Sequence, residues 1–260
     1  MLSAYNQQED DVVAWEVTRE QGPFFCPECR DEVVVKKGHL KVHHFAHLPG
    51  TYCTYGTGES EQHRQAKYEI YEALREHSSV TQIKVERSLG DVRPDISFYW
   101  QRKYKVAIEL QISAISIDEI ALRTRSYTAK NIWVLWTTPY HSKLSSLTPY
   151  RTRFWERYLH ALYFGKRYYW LGGETLLPVH FEPYMLEDTL QERYYEDTQT
   201  WHLDLVKKPS PVLRNLDFGE QINITDLKPV RRPAKQIGPF SLPYARLWST
   251  PNPKRQEGDK

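Results

Sequence analysis

Apolar and polar positions divide this chain into a β-rich beginning, a mixed middle and an aromatic end. Residues 12–17 (VVAWEV) and 33–35 (VVV) read as short strands separated by a turn around FFCPECR. KKGHLK then reads as a hairpin turn in which Gly38 can take positive φ. Residues 59–76 (ESEQHRQAKYEIYEALRE) carry the 3.6-residue repeat of a helix. Glu59, His63, Lys67, Ile70 and Leu74 share one face of it, polar at the start and apolar at the end, while Glu61 points elsewhere. A strand follows over 80–89 (VTQIKVERSL). The stretch from Arg93 to Ser113, RPDISFYWQRKYKVAIELQIS, predicts two strands joined by a polar turn. Residues 116–131 predict a second helix, with Ser116 as N-cap and Ile117, Ile120, Ala121 and Tyr127 as its apolar stripe. IWVLWTT, residues 132–138, is a compact buried strand. Helix, strand, hairpin strands, helix, strand is the order of a mixed α/β core.

After residue 140 the pattern is less regular. Residues 150–181 look helical and then strand-like, and are rich in Arg, Tyr and Trp. A packing layer is the favoured reading, with base stacking and backbone contact the other. Residues 183–206 predict a further helix and strand. Beyond Lys207 lie eight of the 16 prolines, with basic residues between them. This tail is expected to be extended, either wrapping the core or disordered, and open to protein partners. The divisions are therefore 1–57, 58–140, 141–206 and 207–260.

Composition adds limits. With 260 residues, 40% hydrophobic and 26% charged, the chain suits one large or two smaller soluble domains. No apolar run approaches a bilayer's span, and the start, MLSAYNQQEDD, is unlike a signal peptide. A cytoplasmic location without a membrane partner is the expectation. A net charge of +2 does not by itself announce a nucleic-acid binder. Oligomeric state leaves no signal.

Two groups of residues carry chemistry. Cys26, Cys29 and Cys53 are the only cysteines, and their clustering favours a metal over disulfides. Cys26-x-x-Cys29 lets two thiolates reach one ion, and His44, His47 and Cys53 offer further ligands, His43 being less placed. Four of Cys26, Cys29, His44, His47 and Cys53 would satisfy a structural Zn²⁺; buried thiols beside surface histidines are the plainer alternative. The second group is Asp95, Glu109 and Gln111. Glu109 and Gln111 stand two apart, hence on one strand face, and pairing would bring Asp95 beside them. A carboxylate among Val106, Ala107, Ile108, Leu110 and Ile112 is costly unless it is paired or binds a cation. Asp95 and Glu109, with the backbone carbonyl of Leu110, could hold Mg²⁺ or Mn²⁺ and so hydrolyse a phosphodiester. Glu59 could ligate or orient through a water, His63 or Lys67 could approach a phosphate oxygen or leaving group, and Gln111 could hold the attacking water. Arg123 and Arg125 could meet phosphates, a solvated arginine face being the commoner outcome.

Taken in order, FFCPEC, HHFAH, ESEQH with Lys67, RPDI, AIELQIS and the Arg123–Tyr127 helix resemble the competence protein CoiA-like family over roughly residues 10–180. PD…E-x-Q also resembles the PD-(D/E)xK nuclease pattern, with glutamine replacing the lysine. The resemblance implies a restriction-endonuclease-like α/β core, a small N-terminal zinc-binding β module, an extended C-terminal region and DNA, single- or double-stranded, as partner. Carried over by position, Asp95, Glu109 and Gln111 match the core motif, and Glu59 and His63 the family helix. A metal-dependent nuclease in DNA processing, competence, recombination or defence is the implied function; a non-cleaving DNA-binding accessory protein is the alternative.

Overall fold

The computed structural model describes residues 1–251, leaving aside the side chains of residues 187–190 and 205. The chain opens with a five-stranded antiparallel sheet of β1 (Ser3–Tyr5), β2 (Asp11–Val13), β3 (Phe24–Phe25), β4 (Glu32–Lys36) and β5 (His44–His47). Their spatial order is β2-β1-β3-β4-β5. VVAWEV is strand only to Val13, after which the chain turns, and β1, β5 and β3, whose Phe24–Phe25 opens the stretch expected as a turn, extend the sheet beyond the two expected strands. Gly38 does not use positive φ in the β4–β5 connection. The core of this sheet is small, centred on Phe24, Val33, Val35 and Phe45.

Helix α1 (Glu61–Arg75) follows, capped by Ser60, whose hydroxyl accepts from the His63 N–H at 3.2 Å. Ala66, Lys67, Ile70, Tyr71 and Leu74 form its buried face. β6 (Val80–Val85), β7 (Ile96–Trp100) and β8 (Tyr104–Leu110) make an antiparallel meander. Helix α2 (Ile117–Ala129) crosses over to β9 (Trp133–Pro139), which pairs parallel to β8. Ser116 caps α2 as its sequence requires, accepting from Glu119 N at 3.1 Å. Val106, Ala107 and Ile108 are each fully buried, so both faces of β8 are covered, as the crossover demands.

After β10 (Tyr150–Arg151), helix α3 (Phe154–Leu162) leads to β11 (Arg167–Gly172), parallel to β9. Tyr158, Tyr163, Tyr168 and Tyr169 are fully buried, so these aromatics are packing. β12 (Thr175–Tyr195) and β13 (Thr200–Phe218) form a long antiparallel ribbon where a helix was expected over the start of 183–206. Positions four apart suit a helix face and, four being even, a strand face equally. The proline-rich stretch wraps the core. β14 (Ile222–Asn223) pairs β12; β15 (Lys228–Arg232) pairs β18 (Ala245–Ser249), which lies against β9 at Leu247↔Val134. β16 (Lys235–Ile237) and β17 (Phe240–Leu242) form a separate hairpin between them. Leu247 and Trp248 are fully buried. One sheet thus runs from β6 through the aromatic region into the tail, whose residues 252–260 lie outside the described residues. No described helix is long and apolar enough to cross a membrane.

Candidate active site and candidate metal centre

The knuckle of the N-terminal module is built by backbone. Cys26 N donates to Asp31 O at 2.8 Å and Arg30 N to Cys26 O at 3.1 Å, with Arg30 at φ 66° closing the turn. This curls Cys26 and Cys29 toward one point. His47, the last residue of β5, and Cys53, from the loop before α1, complete the group: one ligand atom from each of the four lies within 4.8 Å of the others. Cys26 Sγ and Cys53 Sγ are 4.0 Å apart, and Cys29 Sγ and His47 Nε2 3.4 Å. Tetrahedral zinc, with bonds of about 2.3 Å to sulfur and about 2.0 Å to nitrogen, sets ligand atoms at closely similar separations. The Cys₃His set could hold a metal such as zinc. His44 is not part of it; its Nδ1 is 2.9 Å from Val42 O. His44 and His47 are three apart on one strand, hence on opposite faces, so one site cannot use both.

The second site lies at the carboxyl end of β8. Ile96 pairs with Ile108, and the next step of that antiparallel register brings Asp95 opposite Glu109 on the same face. Asp95 Oδ2 accepts from Leu110 N at 2.8 Å. From α1, His63 Nε2 lies 3.2 Å from Asp95 Oδ1 and its Nδ1 3.4 Å from Glu59 Oε1. Lys67, one turn deeper, is buried; its ammonium pairs with Glu59 and Glu86 and is 3.8 Å from Asp95 Oδ1. Glu59 precedes the helix and points inward, whereas Glu61 turns away to accept from Val42 N and pair with Arg64.

Glu109, 2% exposed, is held differently: Arg123 and Tyr127 of α2 both donate to Oε1. Arg123 also lies over the Trp136 ring, 5.2 Å from its centroid. Arg123 thus meets an internal carboxylate rather than solvent, while Arg125 is exposed. The strand ends at Leu110, and Gln111 does not join the carboxylates; its amide donates to Ser113 O at 2.7 Å. The expectation of three polar groups on one strand face therefore reduces to two.

The residue that sequence reasoning missed is Glu86. It sits just past β6 at φ 53°, buried, accepting from Leu2 N at 2.8 Å and Tyr55 OH at 2.9 Å besides pairing with Lys67. Its left-handed backbone turns the side chain inward from what reads as the end of an ordinary strand. The group welds the N-terminal module to α1.

Burial sets the charges. Burial pushes Glu86 and Asp95 up, but opposite charges overcome it: chiefly Lys67 for Glu86 and His63, then Lys67, for Asp95, holding both at about 2. Glu109 goes the other way, pushed up to about 7 by burial against the opposing Arg123 charge, with Asp95 adding to the rise. Stabilisation from Glu86 and Asp95 is present above their unfolded values of 4.5 and 3.8 and is lost as pH falls toward 2. Glu109 binds its proton more tightly folded than unfolded, so its contribution declines as pH rises from 4.5 to 7. Urea midpoints measured against pH are expected to drop steeply below pH 4.5, and Glu86→Gln to flatten that drop; an unchanged acid limb would show that Glu86 is not held as described.

Residues 6–56 match the N-terminal domain of the competence protein CoiA, and residues 59–184 match its nuclease-like domain. The chain belongs to the competence protein CoiA family. Competence protein CoiA of Bacillus subtilis (strain 168) is 29% identical over 118 residues, covering 45% of this chain and 31% of that protein. The match thus spans under a third of the length of the curated relative. No solved structure matches. All four Cys/His ligand candidates fall in the CoiA N-terminal domain, and Glu59, His63, Lys67, Asp95, Glu109 and Arg123 in the CoiA nuclease-like domain. The latter ends within β12, so the ribbon's outer part and the tail strands lie beyond it.

Proposed function

We propose that the protein is a metal-dependent nuclease that hydrolyses DNA phosphodiester bonds, with a restriction-endonuclease-like core of the PD-(D/E)xK type in its ExQ variant. The observation that carries this reading is the approach of Asp95 and Glu109 on neighbouring strands, served by one helix that supplies His63 and Lys67. The oxygen donors suit Mg²⁺ or Mn²⁺, and each carboxylate is already matched to positive charge or N–H donors. Asp95 and Glu109, with the Leu110 carbonyl, would hold the ion. Bound there, it would lower the pKa of a water and offset charge developing on the phosphate.

The chain's own residues have distinct tasks in this scheme. Lys67 is enclosed by three carboxylates and positions Asp95 and Glu59 rather than reaching substrate. His63, half-buried above it, would exchange a proton at the leaving oxygen. Arg123 neutralises Glu109 and would compete with a cation there. Gln111 would have to leave Ser113 to orient water. A role in competence, recombination or defence is consistent with hydrolysis at this site.

Gln111's outward bond and Arg123's hold on Glu109 favour a second reading, a DNA-binding accessory protein that does not cut. Incubating plasmid and single-stranded DNA with the wild-type protein and Mg²⁺ or Mn²⁺ separates the two. Nuclease function predicts metal-dependent nicked, linear or shortened products; binding without any product under either metal would leave the accessory role.

A further inference from the structure

The N-terminal module carries a charged surface that the Cys/His group does not explain. Residues 36–44, KKGHLKVHH, contain three lysines and three histidines and no acid. They end β4, form the turn and begin β5. Lys36, His39 and Lys41 are exposed, Lys37 is half-buried, and exposed Arg19 lies alongside. Arg19, Lys36, Lys37, His39 and Lys41 line a hollow of about 520 Å³. A second hollow of about 690 Å³ shares Arg19 and Lys36 and runs along β4. Glu32 is the one acid lining either. Among the described residues, none of Arg19, Lys36, Lys37 and Lys41 forms an ion pair.

The near-neutral net charge hides this concentration of unpaired cations. Phe24, the only ring of Phe, Tyr or Trp lining these two hollows, is 3% exposed; Trp15 and Tyr68, with Glu16 and Glu72, line a third hollow on the other side of Lys41, so the Arg19–Lys36–Lys37 side of the turn offers charge without a stacking platform. Such a surface suits the outside of a duplex, where phosphates are presented and bases are not. Its position is also informative. Val42, at the base of the turn, donates to Glu61 Oε1 at 2.8 Å, and Arg64 donates to Glu59 O at 2.8 Å. The basic turn is therefore fastened to the first turn of α1, which presents His63 to Asp95.

We propose that the β4–β5 turn, through Arg19, Lys36, Lys37 and Lys41, binds the phosphate backbone of duplex DNA and lays the duplex beside the carboxylate site. DNA as the partner rests on the nuclease reading; the surface does not depend on turnover. The test is fluorescence anisotropy of a labelled duplex with the zinc-loaded full chain, without added Mg²⁺, across a salt series. Changing Lys36, Lys37 and Lys41 together to Ala is expected to weaken binding about tenfold or more and to reduce the log–log salt slope by roughly 2 to 3. The triple Lys→Arg variant should keep wild-type affinity, which guards against a misfolded alanine variant. Arg102→Ala/Lys103→Ala, at the β7–β8 turn, should change little. Wild-type and triple-alanine proteins with equal slopes, no duplex binding by the wild type, or binding only to vesicles of anionic phospholipid would each overturn the proposal. Lysine-dependent binding without cleavage would reject the nuclease reading alone.

Discussion

Lys67→Met is expected to destabilise the protein by about 3–5 kcal/mol, because it strips a buried cation from carboxylates that cannot reach water. The ammonium pairs with Glu59 and Glu86 and faces Asp95, and both Glu86 and Lys67 are less than a tenth exposed. Methionine fills similar space, so the loss reports charge rather than volume. Glu86 also binds the module's first residues and Tyr55, so the damage should spread from α1 into the N-terminal sheet. Urea unfolding measures the effect, and Lys67→Met/Glu86→Gln should recover part of it, since one of the stranded carboxylates is then neutral. A loss below about 1 kcal/mol would mean that water reaches these groups and the buried network is not as described.

The other large effect is expected on chelation of any metal that the Cys₃His group holds. The module's buried core is little more than Met1, Ala4, Ala14, Val17, Phe24, Val33, Val35 and Phe45 besides Cys26 itself. So small a core does not hold five short strands unaided. Zinc held by structural sites contributes about 10–16 kcal/mol of apparent binding energy in isolated fingers, which here would be folding energy for the module. Cys29→Ser, or chelation of the wild type, is expected to remove one equivalent of zinc and open residues 1–57 to protease while the remainder resists. His44→Ala should keep its zinc, and His47→Ala should lose it. Purified protein without stoichiometric metal, or equal protease resistance before and after chelation, would contradict a structural zinc.

Sequence patterns were most informative where local chemistry repeats. α1 and α2 were legible from their 3.6-residue stripes, α2 also from its Ser116 cap, and the β7–β8 hairpin from its polar turn; the Ser60 cap of α1 appears only in the fold. Cys26, Cys29 and Cys53 stood out by spacing, but choosing His47 over His44 required β5, whose alternation puts the two on opposite faces. Glu86 was hidden because a single left-handed residue reversed its direction. Gln111 stands apart from the two carboxylates because the strand stops one residue earlier, freeing its side chain to bond locally. Arg123 resembled a solvent-facing helix arginine until β8 brought Glu109 beneath it. The tail's folding depends on non-local pairing, β15 with β18 and β18 with β9, which leaves no period in its own proline-rich sequence.

Asp95 and Glu109 are proposed to form the hydrolytic centre together. Its most direct test compares plasmid cleavage in Mg²⁺ or Mn²⁺ by wild type, Asp95→Ala and Glu109→Ala, each zinc-loaded and folded by circular dichroism. Metal-dependent cutting by the wild type, with loss of at least about a hundredfold in rate in both variants, is the predicted result. Equal cleavage by all three proteins would contradict it.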